Sequence, residues 1–240
     1  VTETDDLDGD DISVSYLWVD EAGSEWGSDA DLTLTAENSE PDSILKCQVT
    51  LSPSNATVQG EAAISVVNTE PVVESMEIDP ALPVSQDVLK CIVTESTDAD
   101  EQQRNIEYRW FIDGLEQSET TDSLSADFDV DSQIRCEVRV WDGIDYSSWS
   151  TTTVTIQDTA PTVTSMTILP STEVYSNEVV NCAVQAEDID GDVLSVSYHW
   201  ENAAGTTLSS DAILSLSGLV APEEVISCTA TVTDEHGMST

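Results

Sequence analysis

Apolar and polar residues alternate with period two along much of this chain, the pattern of strands half-buried in a sheet. In NIEYRWFID, Ile106, Tyr108, Trp110 and Ile112 share one face, and Glu107 and Arg109 the other. In SQIRCEVRVW, Ile134, Cys136, Val138 and Val140 point one way, and Arg135, Glu137 and Arg139 the opposite way. In VLKCIV, Leu89, Cys91 and Val93 fall together. The cysteines therefore sit on the apolar side with the tryptophan. The pattern predicts an all-β chain, with Trp110 buried and Arg109 exposed on the same strand.

The alternation repeats. Three segments align: VTETDDLDGDDISVSYLW ending at Trp18, CIVTESTDADEQQRNIEYRW ending at Trp110, and CAVQAEDIDGDVLSVSYHW ending at Trp200. Each tryptophan is followed by a polar turn, a further alternating stretch and a cysteine: Cys47, Cys136 and Cys228. Two boundary phrases also match, NTEPVVESMEIDP and DTAPTVTSMTILP, and Pro71 to Pro161 spans the same interval as Trp110 to Trp200. Internal periodicity of this kind marks a repeat architecture. It predicts repeats at 1–69, 70–159 and 160–240. In this register the first lacks its opening strands, the last lacks its closing one, and only the middle is complete.

An inward cysteine, an inward tryptophan and a second inward cysteine form the pattern of an immunoglobulin-type sandwich, in which a disulfide joins the two sheets against a buried tryptophan. The linker phrase, Cys91, the acidic DxDGD loop (Asp6–Asp10 and Asp188–Asp192), the YxW strand and the second cysteine carry a closer likeness. Over its whole length the chain resembles the bacterial immunoglobulin-like repeats of large secreted and surface proteins, which grade into cadherin-like and PKD-like modules. It lacks a WDFGDG phrase and a tyrosine two residues before the second cysteine, so it departs from strict PKD and antibody-type domains. The resemblance implies tandem immunoglobulin-like β-sandwiches in an extended array. It pairs Cys91 with Cys136 and Cys182 with Cys228, buries Trp18, Trp110 and Trp200 against the cysteines, and leaves Cys47 without a partner in this sequence. Paired cysteines point to an oxidising, extracellular or cell-surface location.

Charge changes the picture next. The 240 residues carry 48 Asp+Glu against 6 Lys+Arg, a net charge of −42. Nucleic acid and anionic membrane surfaces are repelled by such a chain, and no apolar run is long enough to insert into a bilayer. With 39% hydrophobic residues in ordered positions, the acidity is not that of a disordered tail. It fits a saline or calcium-containing exterior; a lineage-wide acidic proteome is the alternative.

The acid concentrates between the first cysteine and the tryptophan of each repeat: TDDLDGDD, TDADEQ and EDIDGDVL. Alternating carboxylates around a tight turn suit a hard cation such as Ca²⁺, although no helix flanks the loop as in an EF-hand. In an immunoglobulin topology this loop lies at the same end as the loop after the second cysteine and the preceding linker. Candidate ligands are then Asp188, Asp190, Asp192, Asp158 and Asp234 in the third repeat, and Asp98, Asp100 and Asp142 in the second, with Glu101, Asp145 and Glu70 nearby. The first repeat offers Asp6, Asp8 and Asp10. The competing reading is a solvated acidic loop that only solubilises.

No chemistry of an enzyme is visible: there is no Ser–His–Asp order, metal-binding His pair or Gly-rich phosphate loop. His199 and His236 read as lone surface histidines. Trp26, Trp141 and Trp149 have no counterparts in the other repeats and are either sugar-stacking platforms or local packing. The expected function is a structural stalk or shaft segment, partnered by neighbouring repeats of a longer chain or by self-assembly into a filament, with calcium at its joints. The alternatives are an adhesive or carbohydrate-binding module, or accessory repeats of a secreted hydrolase.

Overall fold

A computed structural model of the chain describes residue 9 and residues 11–37, 39–52 and 58–240. The chain is all-β. Among the described residues, no helix is long and apolar enough to cross a membrane.

Among the described residues the strands fall into five sheets. β1 (Ser13–Val19), β2 (Glu25–Gly27), β3 (Ile44–Ser52) and β4 (Val58–Ser65) form a sheet in the order β2-β1-β3-β4. Next come β5 (Val72–Asp79), β6 (Val88–Thr97), β7 (Asn105–Ile112), β8 (Leu115–Glu116), β9 (Ser123–Ser125), β10 (Gln133–Trp141) and β11 (Ser150–Thr155). They make two sheets, β5-β6-β9 and β11-β10-β7-β8. Finally, β12 (Thr162–Leu169), β13 (Val179–Glu187) and β16 (Ile213–Ser215) form one sheet, and β14 (Ser195–Asn202), β15 (Thr207–Ser209) and β17 (Ile226–Thr233) the other.

By contacts the chain divides into two compact units. The first holds the described residues up to Met76, with Val93–Arg109 and Glu137–Thr151; the second holds Glu77–Ile92, Trp110–Cys136 and Thr152–Thr240.

In the second unit, disulfides join facing sheets at two places. Cys91 of β6 bonds Cys136 of β10, and Cys182 of β13 bonds Cys228 of β17. Trp110 and Trp200 are fully buried. Around Trp200 the core comprises Val180, Cys182, Leu214 and Leu216. Leu89, Leu124, Phe128, Ile134 and Ile156 are buried in the same unit as Trp110. Each ring also satisfies its one polar atom. The indole N–H of Trp110 donates to the Thr121 carbonyl at 2.9 Å, and that of Trp200 to the Asp211 carbonyl at 2.9 Å. A buried indole without such a partner would lose hydrogen-bonding free energy on leaving water.

In the first unit Trp18 makes the same bond, to the Asp29 carbonyl at 3.0 Å, and lies opposite Cys47 in the β1–β3 register. Yet Trp18 is only half-buried and Cys47 is a free thiol, where burial of Trp18 is the sequence expectation. The reason is geometric. Among the described residues β1–β4 make a single sheet, and its inner face, with Tyr16, Trp18, Cys47, Val49 and Leu51, lines an open hollow of about 480 Å³.

Candidate metal centre

In the second unit three loops bring carboxylates together: the segment ahead of β12, the β13–β14 loop and the turn after β17. Local hydrogen bonding shapes each one. Asp188 Oδ1 accepts the N–H of Asp190 at 2.8 Å, and Gly191 takes the left-handed conformation, φ 82°, that turns the chain. Asp234 Oδ1 accepts the N–H groups of Gly237 and Met238 at 2.6 and 2.8 Å. Asp190 Oδ2 accepts both the amide N–H and the hydroxyl of Thr159, at 2.8 and 2.5 Å, fastening the linker to the loop. Gln86 Nε2 donates to the Ile189 carbonyl at 3.3 Å.

These bonds consume one oxygen of most carboxylates and leave the other facing its neighbours. Ligand oxygens of Asp188, Asp192 and Asp234 all lie within 4.8 Å of one another, and a second group of Asp158, Asp192 and His236 meets the same limit. His236 Nδ1 is 2.7 Å from Asp192 Oδ2. Asp234 is only 6% exposed. Asp158 Oδ1, Asp188 Oδ2, Asp190 Oδ1 and Asp234 Oδ2 are buried and accept no hydrogen bond. Orphaned carboxylate oxygens in a low-dielectric site are costly.

Titration reflects this crowding. Burial raises the Asp158 pKa, and the charges of Asp234, Asp192 and Asp190 push it further. The hydrogen bond to Asp192 raises that of His236. Asp190 moves the other way: burial alone would raise it, but the neighbouring Ser85 hydroxyl and then the hydrogen bonds from Thr159 hold it below the ordinary value. The donor set of oxygens and the charge suit a hard divalent cation.

A related cluster forms in the first unit. Asp98 Oδ1 accepts the Asp100 N–H at 2.8 Å, and Asp100 Oδ2 accepts the Thr69 N–H at 2.7 Å. Asp142 Oδ1 accepts the N–H groups of Ile144 and Asp145, both at 2.7 Å. Asp98 and Asp142 are buried. Burial would raise the Asp142 pKa, but the Asp145 N–H, the Asn68 amide and the Ile144 N–H outweigh it. Glu101 stands at the left-handed turn position, φ 56°, and Glu70 is exposed. Asp6, Asp8 and Asp10 lie outside the described residues.

Several participants are absent from the sequence reading. His236, read as a lone histidine, joins the cluster through Asp192. Asn68, Gln102, Thr69 and Thr159 escape a search confined to carboxylates, although the two boundary phrases align Asn68 with Asp158. His199 fits its reading, with an exposed side chain 3.7 Å from Glu201. Arg109 is more covered than expected: it pairs with Glu137 at 3.1 Å and stacks 3.6 Å from the Trp149 ring centroid. Arg139 lies over Tyr146 at 3.7 Å and Trp149 at 4.7 Å. Trp141 packs on Tyr146 with centroids 4.5 Å apart, and the Trp26 indole donates to Asp20 at 3.3 Å.

No family model and no curated protein matches the sequence. Solved structures similar to the chain include three N-terminal domains of the bacteriophage RB49 Highly Immunogenic Outer Capsid protein (Hoc), at TM-score 0.30 and 17% identity over 95% of this chain and 84% of that one. Extracellular domains 3–5 of Drosophila OTK give TM-score 0.33 and 14% identity, covering 98% and 86%. Drosophila N-cadherin EC1-4 gives 0.28 and 16%, covering 95% and 65%. At these TM-scores no residue role passes from those proteins to this chain.

Proposed function

We propose that this chain is a structural segment of a longer extracellular protein, a shaft of three immunoglobulin-like repeats at 1–69, 70–159 and 160–240. Its joint at Asp158–Thr159 is stiffened by a divalent cation, calcium by its oxygen chemistry. The carrying observation is Asp234: a buried carboxylate whose Oδ2 accepts no hydrogen bond, with Asp188 and Asp192 oxygens within 4.8 Å. Asp188, Asp192 and Asp234 would hold the ion, with Asp158 supplying a further oxygen from the linker. Asp190 fastens that linker through Thr159. A cation there ties three chain segments that otherwise repel one another.

The two disulfides suit an oxidising exterior, and their constraint on the unfolded chain stabilises small sandwiches by roughly 2–5 kcal/mol each. Partners of a shaft are the neighbouring repeats, each repeat contacting only those beside it. A sugar platform at Trp149 is the weaker reading, because the Arg109 and Arg139 guanidinium groups already cover that ring.

Thermal unfolding tests the proposal. Millimolar calcium should raise the Tm of the chain above its value in chelator, and the same ionic strength of potassium should not. Equal melting in calcium and chelator would remove the cation from the account.

A further inference from the structure

The two acidic clusters follow one backbone plan. Asp98 and Asp188 each accept the N–H two residues on, at 2.8 Å in both. Asp100 and Asp190 each accept the N–H of a linker threonine, at 2.7 and 2.8 Å. Asp142 and Asp234 each accept two N–H groups from the loop that follows. The plan diverges at several positions: Asp145 of the first cluster and His236 of the second have no counterpart in the other, and two carboxylates are exchanged for amides. Asn68 stands where the other cluster has Asp158, and Gln102 where it has Asp192.

Both changes replace a charge by a neutral amide, and Asn68 also adds a donor. Its Nδ2 donates to Asp142 Oδ2 at 3.0 Å and to Asp145 Oδ2 at 3.1 Å. One amide nitrogen thus bridges two carboxylates from the same loop. The corresponding oxygen of Asp234 has no donor. The buried acceptors left over differ in kind as well. Around Asp158 they are four carboxylate oxygens: Asp158 Oδ1, Asp188 Oδ2, Asp190 Oδ1 and Asp234 Oδ2. Around Asn68 they are two amide oxygens, Asn68 Oδ1 and Gln102 Oε1, and one carboxylate oxygen, Asp98 Oδ2. Calcium affinity depends on the number of charged ligands, and a bridging N–H already relieves part of the repulsion that an ion would relieve.

We infer that the linker residue sets the cation dependence of each cluster: Asn68 closes the first with its own amide, and Asp158 leaves the second open for a divalent cation. This rests on the cation reading of the Asp158 cluster. The chain then carries one calcium site where its repeat pattern offers two, and its two joints answer differently to calcium.

Equilibrium dialysis of the full chain against radiolabelled calcium tests the asymmetry through a reciprocal exchange. The wild type should take up one ion, with Kd on the order of 10⁻⁴–10⁻³ M. Asp158→Asn should weaken that site at least tenfold. Asn68→Asp with Gln102→Asp should add a second ion of similar affinity. Near-UV circular dichroism of the buried tryptophans verifies that each variant is folded, and Asp158→Asn alone still decides the matter if the double variant is not. Two ions of equal affinity in the wild type, or undiminished binding in Asp158→Asn, would overturn the asymmetry while leaving the cation reading intact. No binding in the millimolar range would overturn both.

Discussion

Replacing Asp188 by asparagine separates charge from shape at the centre of the acidic cluster. Asparagine retains an Oδ1 to accept the Asp190 N–H, so the turn is kept. What disappears is one negative charge within 4.8 Å of Asp192 and Asp234 oxygens. Two unit charges at that distance repel by about 0.9 kcal/mol even at the dielectric of water, and by more in a less polarisable site. Asp188→Asn removes two such pairs, so in chelator the variant should resist local opening by roughly 2 kcal/mol more than the wild type. Calcium reverses the advantage. At a free concentration a hundred times Kd, binding stabilises the wild type by about 2.7 kcal/mol, whereas a variant short of one charged ligand gains little. The variant's advantage of roughly 2 kcal/mol should therefore vanish in calcium and turn into a deficit of about 0.7 kcal/mol. Hydrogen-exchange mass spectrometry of the peptide over residues 232–240 reads this locally, because the Gly237 and Met238 amides bond to Asp234. The same difference between variant and wild type in both conditions would refute the reasoning.

Further outcomes follow from other parts of the structure. Replacing Cys182 and Cys228 together by serine should cost roughly 2–5 kcal/mol in urea unfolding, and a reducing agent should then cost the wild type more than the variant, which has only Cys91–Cys136 left to lose. Trp149→Ala uncovers two arginines and should lower stability by about 1 kcal/mol per lost exposed cation–π contact, read from the shift in urea midpoint at an unchanged m-value. Glu107 is held below its ordinary 4.5 by the hydrogen bond from Arg139 and then that from Tyr146. A depressed carboxylate contributes stability above its unfolded pKa and loses it as pH falls through the folded one. Glu107→Gln should therefore be less stable than wild type at pH 6, and the two should converge as the pH falls through the depressed pKa of folded Glu107; a gap that persists in strong acid would mean that packing, not charge, holds the pair.

The sandwich was legible because one-sided burial writes itself into alternation. Ile134, Cys136, Val138 and Val140 are all fully buried on β10, with Arg135, Glu137 and Arg139 half-exposed between them. Trp18 carries the same local signal as Trp200 but lacks, among the described residues, a second sheet across from it, and burial is a property of what lies opposite. Loop chemistry was harder to read. His236 meets Asp192 across 44 residues of sequence and Asn68 meets Asp142 across 74, so neither contact has a local pattern. Counting carboxylates located both clusters but missed the amide that distinguishes them. The arginine–aromatic stacking on β7 and β10 was partly encoded: Arg109 and Arg139 occupy the outward positions of the alternation, but nothing in the spacing says that Trp149 will lie over both.

Small-angle X-ray scattering of the 240-residue chain, in millimolar calcium and in chelator at matched ionic strength, tests the central claim most directly. A cation-stiffened joint predicts a narrower distribution of interatomic distances in calcium, reversed on chelation and lost in Asp188→Asn. Superimposable profiles for the wild type in the two conditions would contradict the account and leave the acidic loops as solvating surface.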